Sequence, residues 1–129
     1  MRELKFRMWN KFRPEMVYAT NNHYISFNGF VYWQFGFDSV TPLDPDEYIL
    51  MQYTGLKDKN GREIYEGDIA VKEGFNHVVG VITYQAPDHN LVSIKSGMAH
   101  SLHVGELEVI GNIYESPELI HEPTTKEGE

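Results

Sequence analysis

The chain has 129 residues, 41% of them hydrophobic, which suits a single domain with one real core burying about two-thirds of its unfolded surface. Charged residues make up 23% and the net charge is −8; this is close to the usual charged quarter and excludes a disordered acidic polymer. There is no cysteine, which excludes disulfides, thiolate zinc sites and thiol nucleophiles and agrees with a reducing cytoplasm.

No run of apolar residues is long enough to span a membrane, and the opening MRELKFRMW lacks the apolar core of a signal peptide, so a soluble, cytoplasmic protein is predicted. Charge is unevenly spread. Residues 1–15 carry a net +3 and residues 106–129 a net −6, which reads as solvated faces of a soluble protein.

In chain order, Leu4, Phe6 and Met8 alternate with Lys5, Arg7 and Trp9, the period of a strand with one wet face, and Met16–Tyr18 predicts its hairpin partner. Tyr24 to Trp33 predicts a second hairpin. A two-residue type I′ loop at Asn28-Gly29 would set Phe27 against Phe30, Ile25 against Tyr32 and Tyr24 against Trp33. Its aromatic content makes Tyr32, Trp33 and Phe35 a candidate interaction surface if the hairpin is not covered on both sides. Residues 38–47, with two prolines and four acids, read as a connecting loop, with a single capped turn at Asp44-Pro45.

Residues 48–71 then combine a strand, a polar turn ending in Asn60-Gly61, a second turn at Glu66-Gly67-Asp68 and a further strand. Four short strands follow at 77–84, 91–95, 98–104 and 107–114, with Gly67, Gly80 and Gly111 placed at bends. Five short, tightly connected strands predict a small SH3-like β-barrel. Ser116-Pro117 starts a short capped turn, and residues 121–129 hold nothing apolar to bury and predict a frayed acidic tail. The predicted division is thus an N-terminal hairpin layer at 1–47, a barrel body at 48–120 and a tail at 121–129.

Candidate chemistry is sparse. Glu63, Glu66 and Asp68 crowd one turn, but Gly67 and Asp68 read better as turn geometry, as do Asn60 and Gly61. Asp58-Lys59-Asn60-Gly61 imitates the start of a calcium loop, yet Ile69 stands where its closing glutamate belongs. His100 and His103, with His89 and His77, invite a metal site, but strand positions three apart point to opposite faces. No phosphate loop, serine elbow or thiol is present. No cofactor or metal is expected. Arg7, Trp9, Lys11, Phe12 and Arg13 interleave basic and aromatic side chains as single-stranded nucleic-acid platforms do, against an unfavourable overall charge.

The segment Met51-Gln52-Tyr53-Thr54-Gly55-Leu56-Lys57-Asp58-Lys59-Asn60-Gly61, continuing through Glu63-Ile64-Tyr65-Glu66-Gly67-Asp68-Ile69, closely resembles the signature of the YopX family of phage and prophage proteins. Lys5-Phe6-Arg7-x-Trp9 with Met16, and Glu108 to Leu119, look like its other two blocks, in order and across nearly the whole chain. Ala70 stands where the family commonly has Val, and the aromatic segment 24–37 falls in a region where the family varies greatly. The resemblance implies a small, mainly β protein of phage or prophage origin made in a bacterial cytoplasm, and it implies no activity. The expectation is therefore a non-catalytic accessory protein that binds a phage or host protein, self-associates and does not use a membrane. The alternative is a nucleic-acid-binding regulator using Arg7, Trp9, Lys11 and Arg13.

Overall fold

The computed structural model describes residues 4–20, 23–26, 29–35, 39–73, 78–85, 88–102 and 106–120, the side chains of Phe35 and Ser39 excepted. The predicted frayed tail lies outside them. The described chain is mainly β, built from curled antiparallel sheets, and divides into an N-terminal unit of residues 5–52 and a C-terminal unit formed by residues 1–4 and 53–129. A ten-residue strand, β6, starts at Tyr48, and the two units divide within it.

In the N-terminal unit, β1 (Phe6–Asn10) pairs on one side with β2 (Glu15–Tyr18) and on the other with the first half of β6 (Tyr48–Lys57). Alternation puts Met8 on one face and Arg7 and Trp9 on the other. A separate three-stranded sheet has the order β3 (His23–Ile25), β4 (Val31–Phe35), β5 (Ser39–Pro42). Strand β5 corrects the loop expected over 38–47: Val40 and Thr41 are β-branched and pair with Gln34 and Trp33, while Pro42 is tolerated because β5 is an edge. The predicted capped turn follows it, where Asp44 Oδ1 accepts from the Asp46 amide at 2.9 Å.

The second hairpin is shifted by one residue from the expected register. Tyr24 opposes Tyr32 and Ile25 opposes Val31. The Ser26 and Gly29 amides donate to the Phe30 and Ser26 carbonyls, both at 2.9 Å, and Gly29 has φ +89°. A glycine in the left-handed region after the turn lengthens the connection to three residues, of which 27 and 28 lie outside the described ones.

In the C-terminal unit, the second half of β6 pairs with β7 (Glu63–Tyr65) across a register shift at Gly55, whose φ is +89°. Thr54 Oγ1 closes the bulge, donating to the Ile64 carbonyl at 2.8 Å and accepting from the Leu56 amide at 3.1 Å. Strands β8 (Asp68–Lys72), β9 (Val78–Gln85), β10 (Asp88–Ser93) and β11 (Ala99–Ser101) form a meander, and β12 (Leu107–Asn112) returns beside β8. A 3₁₀ turn, Pro117–Ile120, follows Ser116 as predicted. Ile64, Ala70, Ile82, Leu91, Leu102, Leu107 and Val109 form the core. Burial of side chains of this type stabilises by about 1.5–3 kcal/mol each.

Gly80 sits in regular register between Ala70 and Ser93 rather than at a bulge. It is required by space: a β-carbon there would overlap the backbone carbonyl of Val92 on β10. Gly80→Ala should therefore lower unfolding stability by about 2 kcal/mol or more. Urea denaturation checks this, and an unchanged midpoint would mean that β10 can draw back at no cost.

Candidate functional site

The buried polar residues among those described are Arg7, Asn10, Asp58, Asp68, Ser93 and Asn112. Five of them share one task. Asn10 Oδ1 accepts from the Phe12 and Arg13 amides at 2.9 and 3.1 Å, and Asn112 Oδ1 accepts from Tyr114 and Glu115 at 3.0 and 2.8 Å. Ser93 Oγ accepts from Ser96 at 3.2 Å, and Asp68 Oδ2 from Tyr65 at 2.8 Å. Asp58 does the most: Oδ1 accepts from Asn60 and Arg62 within its own turn, and Oδ2 from Val109 on β12, all at 2.9 Å. Burial raises the Asp58 pKa, but these three amides and the Arg62 charge outweigh that and hold it below the ordinary carboxylate value. The two signature aspartates, Asp58 and Asp68, are thus engaged in backbone geometry. Asn60, Gly61, Gly67 and Asp68 all sit at turns, with φ of +84° at Gly61 and +86° at Gly67.

Glu66 meets a histidine that the residue pattern had grouped only with a metal set. His89 Nε2 lies 2.8 Å from Glu66 Oε2, and Tyr84 packs on the His89 ring with centroids 5.2 Å apart. Their cross-strand approach comes from the turn before β8 and could not be read from spacing. His77 and His103 lie outside the described residues, and His100 sits on β11 opposite Leu91. Among the described residues no three His, Asp or Glu side chains converge as metal ligands.

Among the described residues, the N-terminal unit carries a concave surface. A groove of about 540 Å³ lies between its two sheets, with Met8 and Val17 on one side and Trp33, Thr41 and Leu43 on the other. Glu15, Tyr18, Thr20, His23 and Tyr48 complete its described lining. His23 is held in one state: its Nδ1 accepts from the Thr20 amide at 3.0 Å, so the ring proton resides on Nε2. Burial pushes its pKa down from 6.5, and its ring packs edge-on with Trp33 at 4.7 Å. Nothing in the residue order marks these groups as neighbours, because the groove exists only once two sheets of the unit face each other.

The expected aromatic surface divides. Tyr32 and Trp33 are consecutive on a strand and occupy opposite faces, Trp33 in the groove and Tyr32 on the outer face; the Phe35 side chain lies outside the described set. Tyr32 is joined outside by Tyr24 and Val40 along a shallow depression of about 430 Å³, where the Tyr24 hydroxyl donates to Gln34 Oε1 at 2.6 Å. The expected basic block also divides. Arg7 is 2% exposed and cannot present its charge to a nucleic acid, and Trp9 is half-buried on the same face. Lys11 and Arg13 are exposed in the turn that Asn10 holds, flanking Phe12 at 71% exposure.

Curled antiparallel sheets with turn-holding buried polar groups define a mainly β protein in two units. The YopX protein family model matches residues 5–121, and the chain belongs to that family. Protein EF1440 from Enterococcus faecalis is similar, at 28% identity and TM-score 0.63, covering 94% of this chain and 100% of that one. Protein YopX from Bacillus subtilis shares the fold at 20% identity and TM-score 0.63, covering 89% of this chain and 96% of that one. No curated protein matches the chain.

A lowered His23 pKa means that the unfolded chain binds the proton more readily, so this residue's contribution to stability is complete above 6.5 and is lost as pH falls below it. Between about pH 7.5 and about pH 5.5, His23→Gln should lose less melting temperature than the parent chain. Equal losses in the two proteins would contradict the assignment.

Proposed function

We propose that the protein is a phage- or prophage-encoded accessory protein of the bacterial cytoplasm that acts without catalysis, by binding protein, and that it pairs with a second copy of itself. The observation that carries this reading is the outer face of β3–β4–β5. Tyr24 and Val40 are each about half exposed there beside Tyr32. Exposed apolar groups gathered on one face favour association. The Tyr24–Gln34 hydrogen bond stiffens the face, which reduces the entropy lost on docking. Strands β3 and β5 are both edges of their sheet among the described residues, so a two-fold pairing along either edge could extend the sheet while covering that face. In the C-terminal unit, the short curled strands and tight turns support an SH3-like plan, an architecture suited to display rather than enclosure.

A second reading has its own observation. Lys11, Phe12 and Arg13 form an exposed tip whose backbone is fixed by Asn10, an arrangement that suits stacking of one base beside two phosphates. It predicts weak binding of single-stranded oligonucleotides that falls with salt and disappears in Lys11→Ala/Phe12→Ala/Arg13→Ala.

Light scattering tests the first reading. A dimer is expected at about 100 μM, within the range of weak association, and Tyr32→Glu should return it to monomer. A parent protein that stays strictly monomeric, or a Tyr32→Glu dimer, would contradict self-association through this face. Binding confined to oligonucleotides and abolished by the triple substitution would favour the second reading instead.

A further inference from the structure

We infer that the groove of the N-terminal unit binds a small organic ammonium ion, with the positive charge beside Glu15 and the alkyl groups among the aromatic side chains. Its volume, about 540 Å³, lies within the usual range of small-molecule sites, about 300–1,000 Å³.

The lining defines the charge of the guest. The aromatic residues Trp33 and Tyr48 border the groove, and electron-rich rings attract cations. Glu15 is the sole charged residue among the described lining groups, since His23 is kept neutral by burial and by the Thr20 amide donated to its Nδ1. Glu15 is exposed and takes part in neither the Lys59–Glu108 nor the His89–Glu66 ion pair, so its carboxylate is available to a guest. An anion would meet this carboxylate and no compensating cation in the described lining. A neutral guest would gain nothing from it.

The lining also defines the substitution of the nitrogen. A primary ammonium needs three acceptors, whereas Met8, Val17 and Leu43 offer none, the Thr20 hydroxyl already lies 3.1 Å from His23 Nδ1 and the Tyr48 hydroxyl accepts from Asn10 Nδ2 at 3.4 Å, which leaves Glu15 and the Thr41 hydroxyl. A quaternary ammonium, which donates no hydrogen bond and carries an apolar shell, fits such a surface. The described lining of the groove belongs to residues 5–52 and lies on the inner side of the β3–β4–β5 sheet, away from the face assigned above to self-association. The two assignments therefore stand or fall separately.

Isothermal titration calorimetry on the full chain with choline tests the inference, with 3,3-dimethylbutan-1-ol as its neutral isostere. Choline is expected to bind, the isostere to bind at least about tenfold more weakly, and Glu15→Gln to weaken choline by about tenfold or more. Glu15 is an exposed strand residue, so this variant should fold; Trp33→Phe, which keeps a ring, should weaken choline less than Glu15→Gln. Co-sedimentation with phosphatidylcholine vesicles distinguishes the source. Sedimentation lost in Glu15→Gln assigns a lipid headgroup, and choline binding without sedimentation assigns a free solute, the shared chemistry standing in either case. Absence of heat with choline together with absence of sedimentation, equal affinity for the isostere, or unchanged affinity in Glu15→Gln would each overturn it.

Discussion

The Asp58 carboxylate is the interaction on which the C-terminal unit depends. Its two oxygens accept three backbone amides, two from the turn it begins and one from Val109, 51 residues away on β12. One side chain thus shapes the β6–β7 turn and attaches it to the returning edge of the five-stranded sheet. The Lys59 amide reinforces the attachment by donating to the Leu107 carbonyl at 2.9 Å. Leaving such an amide buried without an acceptor costs about 1–3 kcal/mol, a large share of a small domain's net stability. Asn10, Asp68, Ser93 and Asn112 repeat the device at other turns, so buried polarity here is largely spent on fixing where strands reverse.

That commitment has a functional consequence. A carboxylate whose lone pairs are occupied by three amides and whose pKa is lowered is a poor proton shuttle, so Asp58 lends little to acid–base chemistry. Among the described residues, the N-terminal unit carries two concave surfaces and the exposed aromatic residues Phe12, Tyr18, Tyr24 and Phe30. There, the period of two along β4 assigns Trp33 to an inner groove and Tyr32 to an outer face. One short strand consequently separates two concave surfaces of different lining.

Much of the fold was legible because its signals are local. Strand β8 falls on the residues its alternation predicts, Gly61 and Gly67 adopt the left-handed backbone their turns require, and Ser116 opens the terminal turn. Failures occurred where a local signal was weak or a distant one decided. Strand β5 was hidden by the prolines and acids around Val40-Thr41, although that β-branched pair was its only visible mark. The hairpin register slipped by one because Gly29 suits a three-residue connection as well as a two-residue one. Arg7 reads as an ordinary wet-face cation, and only packing buries it. Asn10 and Asn112 each precede a turn and could have been recognised as side-chain acceptors for it. The Glu15–Tyr18–His23–Trp33–Tyr48 groove had no counterpart in spacing, since four separate strands, β2, β3, β4 and β6, contribute these residues.

The central claim is that the signature aspartate serves architecture, and hydrogen exchange at the Val109 amide tests it most directly. In Asp58→Asn the carboxamide can keep its oxygen on Asn60 and Arg62, but its NH₂ group cannot accept from Val109. Protection of Val109 should then fall by about tenfold or more while the remaining core amides of β12 and β8 change less, in line with one lost buried acceptor. Undiminished protection at Val109 in a folded Asp58→Asn protein would contradict the account.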